Sequence, residues 1–346
     1  MIKAGIVGAT GYAGAELVRL LVRHPNARIE WLVSKSYVGQ AFSSIYGNML
    51  NIIDEDCIGD DLSALAESVD VIFTATPQGY LSQSLTRDIL SKAKVIDLSA
   101  DYRLSDVSVY EKWYGIAHGS PELIRDAVYG LCELHRDAIR QTRLVANPGC
   151  YTTCSIMSLY PLVKEGLIDA STIIIDAKSG TSGAGRSSKV DNLFCEVNEN
   201  CKAYGVSTHR HTPEIEEQLS IAAGYPVTLN FTPHLIPMNR GILVTAYATV
   251  NDGVTVDAIS SAYEACYKGE RFVRLLPYGT CPQTKWTEGS NYVDIGFVLD
   301  ERTKRVIVMG SLDNLVKGAA GQAVQNMNIL FDMDETCGLD CVPVFP

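Results

Sequence analysis

Lys3-Ala4-Gly5-Ile6-Val7-Gly8-Ala9-Thr10-Gly11-Tyr12-Ala13-Gly14 opens the chain with a short apolar run that passes directly into a glycine turn. The run reads as a buried strand. Ala15-Glu16-Leu17-Val18-Arg19-Leu20-Leu21-Val22-Arg23-His24 then has apolar residues at helical spacing and stops at Pro25. Strand, glycine turn and helix in this order form the opening of a dinucleotide-binding fold. The glycines let the backbone close on a pyrophosphate, and the helix N-terminus meets its charge. The spacing is G-x-x-G-x-x-G, and Gly8, Thr10, Gly11, Tyr12, Ala13 and Gly14 are the expected cofactor contacts. The N-terminus belongs to this motif and does not read as a signal peptide.

The second strand, Arg28–Val33, tests which cofactor is meant. An enzyme preferring NAD places an acid at the end of this strand for the ribose 2′-hydroxyl. Here Ser34-Lys35 stands instead, and a hydroxyl with a cation suits a 2′-phosphate, so NADP is expected. Val69–Pro77 and Lys94–Ser99 read as further buried strands with a helical stretch over 78–93 between them. This alternation predicts a parallel, doubly wound sheet and nominates Thr76, Pro77 and Ser99 at strand ends.

After this sheet comes Asn147-Pro148-Gly149-Cys150-Tyr151-Thr152-Thr153. It places one thiol of ten on a tight turn at a helix start. The partial positive charge and N–H groups there favour thiolate over thiol, which marks Cys150 as a nucleophile. Asn147 in the same turn is a substrate-binding candidate. Past the strand Thr172–Lys178, Ser179-Gly180-Thr181-Ser182-Gly183-Ala184-Gly185-Arg186 combines three glycines, hydroxyls and an arginine. Such a loop can bind an anion through its backbone N–H groups. Ser179 and Gly180 are assigned to substrate, Ser182 and Gly183 to cofactor. Thr208-His209-Arg210-His211-Thr212-Pro213-Glu214 puts two histidines and an arginine before a helix, with Thr212 read as N-cap and Pro213 as first helical residue. A histidine there can move protons, and an arginine can clamp a carboxylate. Either His209 or His211 can take that part, and Arg210 can bind substrate.

The remaining signals bound the alternatives. The 346 residues suffice for about two domains, and a formal net charge of −11 without a basic cluster argues against nucleic acid. No run approaches the roughly 18 apolar residues of a membrane helix. Scattered cysteines without a secretory signal suggest reduced thiols in the cytosol. Neither Cys150/Cys154 nor Cys337/Cys341 has a second pair at finger spacing, so no metal is expected. Tyr160-Pro161-Leu162-Val163-Lys164 matches the Tyr-x-x-x-Lys of short-chain dehydrogenases, but Pro161 is expected to interrupt the helix that pair needs. Alternating strands around 242–248, 292–299 and 305–311 predict a mixed or antiparallel second sheet that could also form a subunit interface. Asp313–Asn328 reads as a helix rich in small residues, and Asn314 at its start is placed with the cofactor contacts.

Asn-Pro-Gly-Cys-Tyr at 147–151, Ser-Gly-Thr-Ser-Gly-Ala-Gly at 179–185, His-Arg-His-Thr-Pro-Glu-Ile at 209–215, Asp-Leu-Ser-Ala-Asp-Tyr-Arg at 97–103 and Gln-Asn-Met-Asn at 325–328 together resemble the N-acetyl-gamma-glutamyl-phosphate reductases. The resemblance implies reversible NADP-dependent reduction of N-acetyl-glutamyl phosphate to the semialdehyde through a Cys150 thioester, with His209 as the catalytic acid/base and Arg210 and His211 binding substrate nearby, in a cytoplasmic homo-oligomer, a dimer or tetramer. The expected fold is α/β: a Rossmann-type doubly wound NADP-binding domain over 1–149, with a C-terminal helix at about 314–346 packing back on it. An α+β catalytic and dimerisation domain is expected over 150–313. Reductases of aspartyl or aminoadipyl phosphate share this logic, and a non-catalytic NADP sensor is the alternative from another class. Three departures stand out: Thr152 and Cys132 each replace a proline usual in the family, and Asp332 stands where glycine is common.

Overall fold

The structure is a computed structural model that describes residues 1–345. The chain divides into two compact units. One comprises Met1–Gly149 with Ala319–Cys341, the other Cys150–Gly318 with the terminal Val342–Pro346.

The first unit holds six strands: β1 (Ile2–Val7), β2 (Ala27–Val33), β3 (Val71–Thr74), β4 (Lys94–Asp97), β5 (Ala127–Tyr129) and β6 (Leu144–Ala146). All pair in parallel, in the order β2-β1-β3-β4-β6-β5. The order reverses between β1 and β3, the topological switch point at which such sheets bind ligands. Val7, Ile72, Val95 and Leu144 supply a buried core with Trp31, Leu81 and Tyr102. The first helix runs Tyr12–Leu21, three residues ahead of the expected start, because Gly11 and Gly14 form its cap and first turn. The stretch 78–93 is two helices, Tyr80–Ser84 and Arg87–Lys92. The chain is extended at Leu85, and the Thr86 side chain caps the second helix at the Ile89 amide.

The second unit holds β7 (Ile168–Ser179), β8 (Lys202–Ala203), β9 (Asn230–Leu235), β10 (Ile242–Val250), β11 (Val273–Leu275), β12 (Val293–Asp300) and β13 (Arg305–Leu312). They form one mixed sheet in the order β11-β12-β13-β10-β7-β9-β8. On one face Ile173, Ile175, Val244, Ala246, Val306 and Val308 are buried beneath the helix Cys150–Lys164. Gly310 permits the close approach, since a Cβ there would lie 2.3 Å from Ser158 Oγ.

Two expectations about helices are corrected here. The Cys150 helix runs unbroken through Pro161 to Lys164. A proline leaves the carbonyl four residues earlier without its helical donor. That carbonyl belongs to Met157, and the Tyr267 hydroxyl donates to it at 2.7 Å. Downstream, Asp313–Asn328 is not one α-helix. The Asp313 carboxylate accepts from the Leu315 and Val316 amides, and the Gly318 N–H reaches back to the Asp313 carbonyl. This five-residue reach makes Val316–Ala320 a π-helical turn, and the α-helix begins at Gly321 and ends at Leu330.

Candidate active site

The glycine turn of the first unit lies at the C-terminal end of β1. Gly8 has φ +78°, and a Cβ on it would meet the Ala75 carbonyl at 2.3 Å. Gly14 is equally confined, with the Gly8 carbonyl 2.3 Å from its Cβ position. Gly11 differs: its φ is −75°, and the nearest atom to a Cβ would be 3.5 Å away. Packing therefore explains the outer two glycines, and the middle one leaves space beside the helix N-terminus. No side chain caps that N-terminus, so the first-turn amides of Tyr12, Ala13 and Gly14 are offered outward. Nearby, the Thr76 hydroxyl is buried with no partner. These observations fit a bound pyrophosphate.

Ser34 and Thr10 share a hydrogen bond of 2.8 Å, and Lys35 is exposed beside them. Pro77 is exposed as well. Ser99 is placed differently from expectation. Its hydroxyl donates to Asp97 and its oxygen accepts from the Asp101 amide, and the residue is buried. It belongs to an internal network with Thr74, Asp97 and Asp101. Burial, reinforced by the charge of Asp101, raises Asp97 to about 6.

Asn147 is likewise internal. Its amide donates to the Ala319 carbonyl at 3.1 Å and accepts from Asn326 at 3.0 Å, and its side chain is fully buried. The Asn147 carbonyl accepts from Arg103 Nε at 2.8 Å, and the same guanidinium holds the Leu98 carbonyl. Asn147 is thus a brace for the turn and presents no polar group to substrate. Cys132 joins this brace, its thiol donating to Asn326 Oδ1 at 3.2 Å.

In the second unit Cys150 is the first residue of its helix and is half-buried. Gly318 lies against it: a Cβ there would be 2.8 Å from the Cys150 Cβ. The next residue, Tyr151, is buried, and its hydroxyl donates to the His234 carbonyl at 3.1 Å and accepts from Tyr204 at 3.3 Å. Burial raises both phenols, Tyr204 to about 12, and the nearby Cys150 adds to the effect on each. His209 sits among these rings, 5.7 Å from Tyr151, 5.4 Å from Tyr204, 5.3 Å from Phe231 and 4.8 Å from His211. Burial, then the neighbouring Arg210, depresses its imidazole to about 4. Arg210 itself is exposed. The following helix starts at Thr212 with His211 in the cap position, one residue ahead of expectation.

The loop 179–185 does not present its amides to an anion. Gly180, Thr181 and Ser182 donate to the carbonyls of Gly241, Met238 and Asn239, while Gly183 and Gly185 donate within the loop. Gly180 is confined by that pairing, its Cβ position 2.7 Å from the Asn239 carbonyl. Asn314 clamps the assembly, accepting from the Gly241 amide and donating to Ser182 Oγ. The loop is a zipped support. Ser179, at its base, is buried, and its hydroxyl donates to the Gly180 carbonyl at 2.9 Å. Among the described residues no group of three His, Cys, Asp or Glu is arranged to hold a metal ion, and no helix is long and apolar enough to cross a membrane.

Two family models match the chain in series. The semialdehyde dehydrogenase NAD-binding domain covers residues 3–142, and the semialdehyde dehydrogenase dimerisation domain covers residues 150–314. Relatives named N-acetyl-gamma-glutamyl-phosphate reductase match over full length. That of Lachnoclostridium phytofermentans is 61% identical over 100% of both chains, that of Lachnospira eligens 62% over 100% of both, and that of Campylobacter jejuni 56% over 98% of both. The chain belongs to the N-acetyl-gamma-glutamyl-phosphate reductase family. Its fold extends further than the family. Aspartate semialdehyde dehydrogenase II of Vibrio cholerae superposes with a TM-score of 0.71 at 16% identity, covering 96% of this chain and 99% of that one. The Candida albicans aspartate semialdehyde dehydrogenase, solved with NADP, gives 0.67 at 15%, with 96% and 98% covered.

Several participants escaped sequence reasoning. Thr152 stands out in the sequence only as a replaced proline, yet its hydroxyl donates to the buried Glu214 at 2.8 Å. Tyr204 and Phe231 have no motif signal, and Gly318 resembles any other small residue of its run. Arg103 carries no signal in the sequence beyond its place in the stretch 97–103.

Proposed function

We propose that the chain catalyses the NADPH-dependent reduction of N-acetyl-gamma-glutamyl phosphate to N-acetyl-glutamate semialdehyde and phosphate, in the cytoplasm, through a thioester on Cys150. The observation that carries the reading is Cys150 itself, half-buried at the first position of a helix and next to the ring cluster that holds His209. Positive potential at the helix start favours the thiolate, which attacks the acyl carbon and expels phosphate. Gly318 packs against the Cys150 Cβ, which would hold the root of the nucleophile's side chain in place as substrate arrives. Gly8, Thr10, Gly11, Tyr12, Ala13, Gly14, Ser34, Lys35, Thr76 and Pro77 would hold NADPH, with Lys35 at the 2′-phosphate. When bound, the cofactor supplies the hydride. Arg210 and His211 would meet the polar end of the substrate.

The same reading extends to a homo-oligomer. On the open face of the second sheet Ile174, Tyr247, Ile307 and Val298 line up across β7, β10, β13 and β12, and Ile174 is 39% exposed. A second copy of this chain is the occupant we assign, in keeping with the dimerisation-domain match. The Ile174→Asp and Ile307→Asp variants should shift the particle mass from dimer or tetramer to monomer in light scattering.

The activity is tested by phosphate-dependent reduction of NADP with N-acetylglutamate semialdehyde, beside aspartate semialdehyde. Turnover of the first alone supports the reading, and turnover of only the second overturns the substrate. Undiminished activity in Cys150→Ala overturns the mechanism.

A further inference from the structure

Cys154 follows Cys150 by one turn of the same helix, and the two thiols differ in access. Cys150 is half-buried, whereas Cys154 is shut off from solvent. The reaction proposed above uses only the first. Four residues along a helix advance about 6 Å and return nearly to the same face. Contacts with the sheet place the pair on one side. Gly310 and Leu312 stand two apart on β13 and so point to one face of it. A Cβ at Gly310 would lie 3.0 Å from Cys154 Sγ. One at Gly318 would lie 2.8 Å from the Cys150 Cβ and 3.3 Å from Leu312 Cδ1. Both cysteines therefore lie over the same strand, one behind the other.

A disulfide spans Cα separations of about 4.4–6.8 Å, which this helical spacing satisfies, but it needs Cβ atoms about 3.8 Å apart. Side chains four apart on a helix have Cβ atoms about 5–6 Å apart. The backbone must therefore give by about 2 Å. Cys150 begins the helix, so no earlier turn resists and the movement falls on the first turn alone. Cys154 is held in place: Ser158 Oγ donates to its carbonyl at 2.7 Å, and helix and sheet enclose it. Reactivity divides in the same way. Solvent reaches Cys150, whose thiolate the helix N-terminus favours. Burial pushes the Cys154 thiol up, and the charge of Cys150 pushes it the same way. Conversion of Cys150 to a neutral sulfenic acid removes that charge.

We propose that Cys154 is the resolving thiol of Cys150, closing a reversible disulfide once a peroxide has oxidised the nucleophile. In the first step the Cys150 thiolate attacks one oxygen of hydrogen peroxide and the O–O bond breaks. Sulfur is oxidised to sulfenic acid, and the peroxide is reduced to hydroxide. In the second step Cys154 gives up its proton and its sulfur attacks the Cys150 sulfur. The S–O bond breaks, and the hydroxyl leaves with that proton as water. A dithiol returns both thiols by exchange. Without Cys154, further peroxide carries the sulfenic acid to sulfinic acid, which a dithiol does not reverse. The part of Cys150 in turnover rests on the proposed function; the disulfide needs no substrate.

The test treats the full chain with hydrogen peroxide in the absence of substrate, then blocks free thiols with iodoacetamide under denaturing conditions. Trypsin releases Leu144–Lys164, which contains these two cysteines and no other. The peptide should carry no alkyl group and weigh two hydrogens less than its reduced form. Activity should fall ~10-fold or more and return with dithiothreitol. In Cys154→Ala the peptide should instead gain two oxygens, and activity should not return. An oxidised Cys150 beside an alkylated Cys154 in the native protein overturns the proposal, as does a peptide that peroxide leaves unchanged. Equal recovery of the two proteins overturns it too. Should Cys154→Ala fail to fold, the mass of the native peptide decides alone. A disulfide in a protein that does not turn over the N-acetyl substrate would refute the assigned reaction and leave the resolving thiol standing.

Discussion

The Thr152 hydroxyl donates to the Glu214 carboxylate at 2.8 Å, fastening the helix that begins at Cys150 to the helix that begins beside His211. Both residues are buried, so the carboxylate has exchanged water for this donor. Thr152→Val keeps the shape and removes the donor. It should lower unfolding free energy by about 1–3 kcal/mol in urea titrations, the cost of depriving a buried acceptor. An unchanged transition midpoint would show that the bond contributes nothing.

Gly318 and Cys150 give a second prediction. A methyl at Gly318 would fall 2.8 Å from the Cys150 Cβ, closer than unstrained carbons approach. Gly318→Ala should therefore displace the nucleophile, lowering kcat about 10–100-fold with a smaller change in KM. Steady-state kinetics on the semialdehyde checks this split.

The depressed imidazole of His209 predicts a pH dependence of stability. Its folded value of about 4 lies below the ordinary 6.5. As pH falls from 6.5 through about 4 the unfolded chain binds a proton that the folded chain refuses, and stability on the order of 2–3 kcal/mol is lost. His209→Gln cannot charge and should flatten this part of the curve. Asp97, raised to about 6, acts with opposite sign, its contribution being complete below 3.8 and lost as pH rises through 6. Each variant is therefore compared with the native protein at every pH.

Cofactor choice yields the last prediction. Lys35→Glu should raise KM for NADPH about 10–100-fold and leave KM for NADH nearly unchanged, since only the 2′-phosphate is repelled. Gly11→Ala meets no atom nearer than 3.5 Å, so melting temperature should hold while KM for both cofactors rises. A fall in melting temperature would mean that the glycine serves packing.

The parallel sheet, the glycine turn and Cys150 were legible because each depends on local order: a strand period, a turn and a helix start that adjoin in sequence. Side-chain partners were not legible in the same way. Asn147 and Ser99 look like surface donors by residue type, yet contacts with Asn326 and with Asp97 turn them inward. The loop 179–185 has the composition of an anion cradle, but residues 238–241 take its N–H groups across a long sequence separation. Pro161 was misjudged for the same reason: the donor that repairs its helix is Tyr267, on another helix.

Cys150 and Gly318 are also the first and last residues of the uninterrupted stretch of the second unit. Their contact means that 169 residues of chain depart from one point and return to it. The stretch is topologically a cassette with adjoining ends, and its seam runs through the catalytic thiol. Exchanging the cassette between relatives would carry the nucleophile, the ring cluster and the oligomer face together, and every such junction would be made at the sulfur's own backbone.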